Sequence, residues 1–301
     1  MKAIDLFAGA GGFTQGAEQA GAEVIWAANH WNDAVEIHER NHPDALHACQ
    51  DLHQTDWSTV PSMDVVLASP ACQGHTKARG KERAHHDATR STAWAVVSCV
   101  EFHRPEFAIV ENVPEFLDWA LYPAWASAMQ ALGYTMAHEV LDAADFGVPQ
   151  NRRRLFIVAS RSRTAHHLDL PRVAHVPARS FIDLNAGNWT AVNKPGRAQA
   201  TLDRVAAGRA AFGDTFLAPY YGSGSGATGR SLDRPIGTIT TRERWSLVHE
   251  DRMRMLTLDE TVAAMGFPSD YELPSAKKRA VHMLGNAVCP PVAEALVRSL
   301  R

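Results

Sequence analysis

The chain has 301 residues, 46% of them hydrophobic and 21% charged, with 30 basic and 33 acidic side chains for a formal net charge of −3. This balance excludes a disordered or low-complexity protein, and with no run of about 18 apolar residues no membrane span is expected. The N-terminal segment lacks the charged, apolar and small-residue regions of a secretory leader, and Cys49, Cys72, Cys99 and Cys289 form no CxxC pair, so reduced thiols, no metal site and a cytoplasmic location are expected.

Lys2–Phe7 reads as a short apolar strand, followed by a glycine-rich turn at Ala8–Gly12 and a helix over Phe13–Ala20. Glu23–Ala28 predicts a second strand, and Trp31–Asn41 a helix ended by His42-Pro43. Ala45–Cys49 is a weaker third strand, and Asp64–Ala68 a fourth, broken by Ser69-Pro70. Thr92–Phe102 predicts a helix, Phe107–Val110 a fifth strand, and Pro123–Leu132 a helix stopped by Gly133. Tyr134–Val140 and Leu155–Ala159 close the set. Short apolar runs alternating with helices predict an α/β fold with a Rossmann-like, mostly parallel sheet and helices on both faces. Such sheets bind ligands at the carboxyl ends of their strands.

Beyond about residue 165 the alternation is lost, and Arg, Gly, Ala and Thr dominate. A smaller domain is expected over 166–245, with Tyr220–Gly229 as a candidate mobile loop, inserted into a larger domain formed by 1–165 and 246–301. Helical signals return at Thr257, and Pro290–Leu300 predicts an apolar terminal helix. Charge is uneven within this acidic whole. From Cys72 to Arg90, five basic residues (Lys77, Arg79, Lys81, Arg83, Arg90) face two acids; from Asn151 to Arg179, seven arginines face Asp169 alone. Two such stretches suit a polyanion, or are simply solvated loops.

Chemistry-bearing residues collect at the predicted strand ends. Asp5 to Gly12 reads DLFAGAGG, a strand-to-helix turn in which glycines permit a sharp bend and close ligand approach. By itself this turn suits NAD, FAD or S-adenosylmethionine, or only a turn. Cys72 follows the fourth strand in polar, basic surroundings that favour a thiolate; a lone cysteine is otherwise a small buried hydrophobe. Glu111-Asn112-Val113-Pro114 follows the fifth strand, and Gln150-Asn151-Arg152-Arg153-Arg154 precedes the last, with arginines suited to an oxygen or a phosphate.

In this order the segments resemble the C5-cytosine DNA methyltransferase family. DLFAGAGG resembles its S-adenosylmethionine loop, Pro70-Ala71-Cys72-Gln73 its nucleophile motif, Glu111-Asn112-Val113 its acid motif, and Gln150-x-Arg152-x-Arg154 its arginine motif. Residues 254–268 and Gly285-Asn286-Ala287-Val288 resemble its closing segments, and only about 165–230, where the family holds target recognition, stands outside the match. The resemblance implies methyl transfer to cytosine C5 in double-stranded DNA, with the base flipped out of the helix. It implies Cys72 as nucleophile, Glu111 at N3, Arg154 at O2, and Arg152 in support. It implies a donor site of Phe7, Gly9, Ala10 and Gly12, with Trp31 stacked on adenine, Asp51 and Leu52 at its edge, and Asn286 and Val288 completing the pocket. Lys77, Arg79, Lys81, Arg83, Arg230, Arg242 and Arg244 are the expected DNA contacts; Arg197, Arg204 and Arg209 are further arginines for guanine edges or phosphates. A monomer is expected, with a cognate restriction endonuclease as partner.

Three features depart from the family pattern. His30 stands where an acid normally holds the donor's ribose, which predicts weaker donor binding or acceptance of a donor with extra negative charge. Ala71 replaces a proline, which removes a φ restraint and predicts a looser catalytic loop, with Ala71→Pro tolerated or activating. The recognition region is short. A tRNA cytosine methyltransferase and a catalytically silent DNA-binding protein are the alternatives; a dinucleotide oxidoreductase would need GxGxxG and an acid after strand two.

Overall fold

The computed structural model describes residues 1–71, 92–220 and 229–301. It divides into two compact units. The larger comprises Met1–Asp142, Arg153–Pro171 and Ala287–Arg301; the second comprises Ala143–Arg152 and Arg172–Asn286.

The larger unit is built on a seven-stranded sheet. Its strands are β1 (Lys2–Leu6), β2 (Glu23–Asn29), β3 (Leu46–Cys49), β4 (Val65–Ala68), β5 (Phe107–Asn112), β6 (Thr135–Asp142) and β7 (Arg153–Ser160), in the order β3-β2-β1-β4-β5-β7-β6. The pairs among β1 to β5 are parallel, and β7 runs antiparallel to both β5 and β6. The sheet is therefore mostly parallel, as expected, with one reversed strand. β4 is buried along its whole length, the mark of a strand covered on both faces and the reason its sequence reads as one apolar run. The strand order reverses between β1 and β4, which places a ligand crevice at their carboxyl ends.

Helices α1 (Gly12–Gln19), α2 (Asn32–Asn41), α3 (Ala93–His103), α4 (Tyr122–Ala131) and, near the C-terminus, Pro290–Arg298 complete this unit. Gly16 lets α1 meet the terminal helix backbone to backbone. A Cβ there would lie 2.3 Å from the Pro290 carbonyl oxygen and 2.5 Å from the Ala293 Cβ, so only glycine permits this packing.

The second unit carries a four-stranded antiparallel sheet in the order β8-β11-β10-β9, from β8 (Thr190–Ala191), β9 (Thr215–Pro219), β10 (Trp245–His249) and β11 (Arg252–Met255). Its helices are α5 (Gln199–Phe212), α6 (Leu258–Met265) and α7 (Lys277–Asn286), so the terminal helix is α8. Val205, Phe216, Val248 and Met253 form a small core. The segment Lys277–Arg298 reaches a mean hydropathy of 1.2 and could cross a membrane by length and composition alone. It is split into α7 and α8, and 72% of the apolar window is buried inside the protein, as in core helices.

A buried ion pair braces the second unit. Arg254 makes two 2.7 Å contacts to Glu260, bonds the Asp183 carbonyl oxygen at 2.7 Å, and stacks on the Trp189 ring at 4.9 Å. Glu260 also closes a capping box with Thr257 at the start of α6. Burial pushes the Glu260 carboxyl up, but Arg254 and the N–H groups of Thr257 and Asp183 outweigh it and hold Glu260 below its ordinary value. Arg254→Leu strands a buried carboxylate and is expected to cost about 3–5 kcal/mol in denaturant unfolding. The pair's contribution is present above the ordinary glutamate range and is lost as pH falls through the depressed value. The variant should lose that part of the acid sensitivity.

Candidate active site

Two groups expected at strand ends lie within strands. Pairing with β7 extends β5 to Asn112, so Glu111 sits opposite Phe156, and Arg154 is the second residue of β7. Arg154 Nε lies 3.2 Å from Glu111 Oε1, both side chains being mostly buried. A carboxyl and a guanidinium held side by side can together grip a planar ring that offers a nitrogen and an adjacent oxygen.

Beside them, Asn112 Nδ2 donates to the Pro70 carbonyl oxygen at 3.1 Å, and its Oδ1 accepts from the Val113 N–H at 2.9 Å. The Ala71 N–H donates to Thr92 Oγ1 at 3.1 Å. Asn112 and Thr92 thus hold the two residues that precede Cys72. Cys72 itself, with Lys77, Arg79, Lys81 and Arg83, lies outside the described residues, as does most of the Tyr220–Gly229 stretch. Proline at position 71 would have no N–H to give Thr92, so any tightening of the loop comes with the loss of that bond. Ala71→Pro is expected to cost about 1 kcal/mol, measured as a lower Tm.

Arg152 belongs to the second unit and is buried there. It donates to the carbonyl oxygens of Ile239 at 2.9 Å and Gly285 at 2.8 Å. Gln150, fully buried, accepts from the Ile239 N–H at 2.7 Å and donates to the Ala264 carbonyl oxygen at 2.9 Å. The structure therefore brings together Glu111 and Arg154, whereas Gln150 and Arg152 tie backbone segments of the second unit.

The glycine loop leaves β1 with positive φ at Phe7 (63°), Gly9 (56°) and Gly11 (80°). Gly11 leads into α1, and no side chain caps that helix. Its first-turn N–H groups and positive dipole end suit a carboxylate. Ala10 and Gly12 are buried within the turn. At the end of β2, His30 is exposed, and the half-buried Trp31 begins α2 with its N–H donating to Asn29 Oδ1 at 3.0 Å. Asp51 Oδ1 accepts from the His53 N–H at 3.0 Å, capping a short turn, and Leu52 is buried behind it. A helix N-terminus without a side-chain cap, an aromatic side chain and a carboxylate at three adjacent strand ends fit an S-adenosyl group. Val288 is buried in the larger unit, while Asn286 is exposed at the end of α7.

Among the arginines of the second unit, Arg230 bonds Asn151 Oδ1 at 2.9 Å and the Pro235 carbonyl oxygen at 2.8 Å. Arg242 and Arg244 line a crevice with Thr240, Trp245 and Leu256. Arg197 bonds the Val192 and Ala191 carbonyl oxygens, and Arg209 the Glu250 carbonyl oxygen, so both brace their own unit. Among the described residues no group of three or more His, Cys, Asp or Glu could hold a metal ion.

The model of the C-5 cytosine-specific DNA methylases matches residues 1–194 and 191–301 of this chain. The chain belongs to this family. The methylase is 27% identical to the type II methyltransferase M.NlaX of Neisseria lactamica, over 100% of the chain and 96% of that protein. It is 30% identical to M.AgeI of Thalassovita gelatinovora over 90% of the chain, which spans 65% of that longer relative. Its fold is similar to that of a DNMT2 mutant from Spodoptera frugiperda, with a TM-score of 0.72 at 16% identity, covering 99% of each chain. The methyltransferase EhMeth of Entamoeba histolytica gives 0.70 at 17%, covering 100% of this chain and 97% of the other.

Proposed function

We propose that this methylase transfers a methyl group from S-adenosylmethionine to C5 of cytosine in double-stranded DNA, through a covalent bond between Cys72 and C6. The observation that carries this reading is the 3.2 Å pair between Glu111 of β5 and Arg154 of β7, with Asn112, the next residue of β5, gripping the segment that leads to Cys72. Cytosine C5 is too weak a nucleophile to attack a methyl donor unaided. Addition of the Cys72 thiolate at C6 makes C5 enamine-like, and negative charge moves toward N3 and O2. Glu111 holds or protonates N3, and Arg154 donates to O2. The donor, when bound, supplies an electrophilic methyl carbon. After transfer, C5 loses its proton to water, the C5–C6 double bond re-forms, and Cys72 leaves as thiolate.

Phe7, Gly9, Ala10 and Gly12 cradle the methionine part and ribose in this reading. Trp31 stacks on the adenine, while Asp51 accepts from its amino group beside the Leu52 backbone. Because C6 and C5 are stacked inside duplex DNA, the base is flipped out. Lys77, Arg79, Lys81 and Arg83 then close on the phosphates, and Arg242 and Arg244 approach the DNA from the recognition region. In this reading the protein acts as a monomer in the cytoplasm, and the type II names of the relatives support a cognate restriction endonuclease as its partner.

At the ribose, His30→Glu is expected to tighten S-adenosylmethionine binding by about tenfold, since a carboxylate accepts more strongly from hydroxyls than an imidazole. An unchanged Kd in calorimetry would remove His30 from the donor site. The function itself is tested with purified protein and methyl-labelled donor. Label is expected in duplex DNA; label confined to tRNA, or in neither substrate, would overturn the reading.

A further inference from the structure

Behind the donor-binding tips of the larger unit runs a hydrogen-bonded chain that the mechanism does not use. Asp5 is fully buried on β1, two residues before Phe7. Its Oδ2 accepts from the Thr14 hydroxyl at 2.8 Å. Thr14 Oγ1 lies 3.0 Å from His38 Nε2, and His38 Nδ1 lies 2.8 Å from His47 Nε2. Thr14 and His38 are buried; His47 is half-buried. Two opposite proton arrangements satisfy every link: with Asp5 ionised, His47 Nε2–H donates to His38 Nδ1, His38 Nε2–H to Thr14 Oγ1 and the Thr14 hydroxyl to Asp5; with Asp5 protonated, each link reverses, running from the Asp5 hydroxyl through Thr14 and His38 to His47 Nε2.

Each member stands on a different element, and each element carries part of the donor site. β1 leads into Phe7 and Gly9, α1 begins at Gly12, α2 follows His30 and Trp31, and β3 leads to Asp51 and Leu52. A crevice lined by Gly9, Asn29, Ala34, His38 and His47 joins the chain to the glycine loop. We propose that Asp5, Thr14, His38 and His47 are positioning residues that hold these four tips in register, so that donor affinity depends on the chain being intact. The proposal rests on the methyl-donor reading above.

The chain is also sensitive to protonation. His38 is faced by His42 on its own helix, by His47 on β3, and through Thr14 by Asp5 on β1. Glu18 of α1 pairs with His42, and Glu39 acts on His47. Burial, with His42 and His47 beside it, holds His38 well below the ordinary histidine range. Burial lowers His47 too, against the pull of Glu39. Both rings are then neutral at neutral pH, so each offers one donor and one acceptor, as the chain requires. Burial pushes Asp5 up to about 7. The terminal acceptor thus gains its charge as pH rises through neutrality, and the Thr14 bond strengthens.

The test is calorimetric titration of the full chain with S-adenosylmethionine at several pH values between about 6 and 8. Thr14→Val, nearly isosteric, and His38→Leu both break the chain, and each is expected to weaken donor binding about tenfold. kcat at saturating donor should stay within about twofold of wild type. His38→Gln keeps an acceptor toward His47 and a donor toward Thr14, and should bind like wild type. Wild-type affinity should rise with pH across neutrality, and Asp5→Asn should remove that dependence. Unchanged affinity in Thr14→Val and His38→Leu, an equal loss in His38→Gln, or a loss confined to kcat would each overturn the proposal. A wild type that binds no donor would overturn the methyl-donor reading and this inference together.

Discussion

Serine in place of Cys72 is expected to abolish methyl transfer, lowering the single-turnover rate by on the order of 10⁵-fold or more, while donor affinity stays within about twofold. The reaction needs a nucleophile that exists as an anion near neutral pH and can leave again after transfer. A thiol meets both demands; an alcohol meets neither without a base beside it. Asn112 and Thr92 hold Pro70 and Ala71 through backbone groups, independently of the side chain at 72. The substitution should therefore leave the approach to the loop unchanged. Trapping gives a second readout. Duplex DNA whose target cytosine cannot release the adduct should form a denaturation-resistant complex with the wild type and none with the variant. A variant retaining more than about a hundredth of the wild-type rate would mean that C5 is activated without a covalent bond.

Glu111→Gln is expected to lower kcat by about 10²–10⁴-fold with little change in fold or in donor Kd. The amide keeps the size of the side chain and an oxygen facing Arg154 Nε, now at 3.2 Å from the carboxylate. It cannot pass a proton to N3, and it removes the ion pair that orients Arg154. Because the charge at N3 and O2 develops only after C6 is attacked, the loss should fall on kcat rather than on DNA affinity. Rapid-quench kinetics with saturating DNA and donor separates the two. A loss confined to the KM for DNA would make Glu111 a binding residue and remove it from the proton chemistry.

The sheet was legible because strands covered on both faces must be apolar throughout, as in Val65–Ala68. Strand ends were less so. Glu111, Asn112 and Arg154 are polar, yet pairing between β5 and β7 carries all three into the strands. That extension is decided by the partner, which local pattern does not contain. The second unit was the least readable. Its β11 reads Arg252-Met253-Arg254-Met255, and a buried arginine in a strand makes sense only once Glu260 and Trp189 are seen to enclose it. Helix α5 buries only Val205 and Gly208, too little for an apolar stripe to show.

The site divides in the same way. Its motifs could be read in order, but not which members of a motif act on one another. Arg152 and Arg154 are two residues apart and alike in charge; one ties the Ile239 and Gly285 carbonyl oxygens, and the other meets Glu111. The chain from Asp5 to His47 joins residues up to 42 positions apart, and only the folded sheet brings them into line.

Mass spectrometry of nucleosides from the DNA of a methylation-free host expressing the wild type or Cys72→Ser tests the central claim most directly. 5-Methylcytosine in the wild-type sample alone is the predicted result, and it would establish substrate, reaction and nucleophile together. No modified cytosine in DNA despite soluble, folded wild-type protein, or equal amounts from the wild type and the variant, would contradict it.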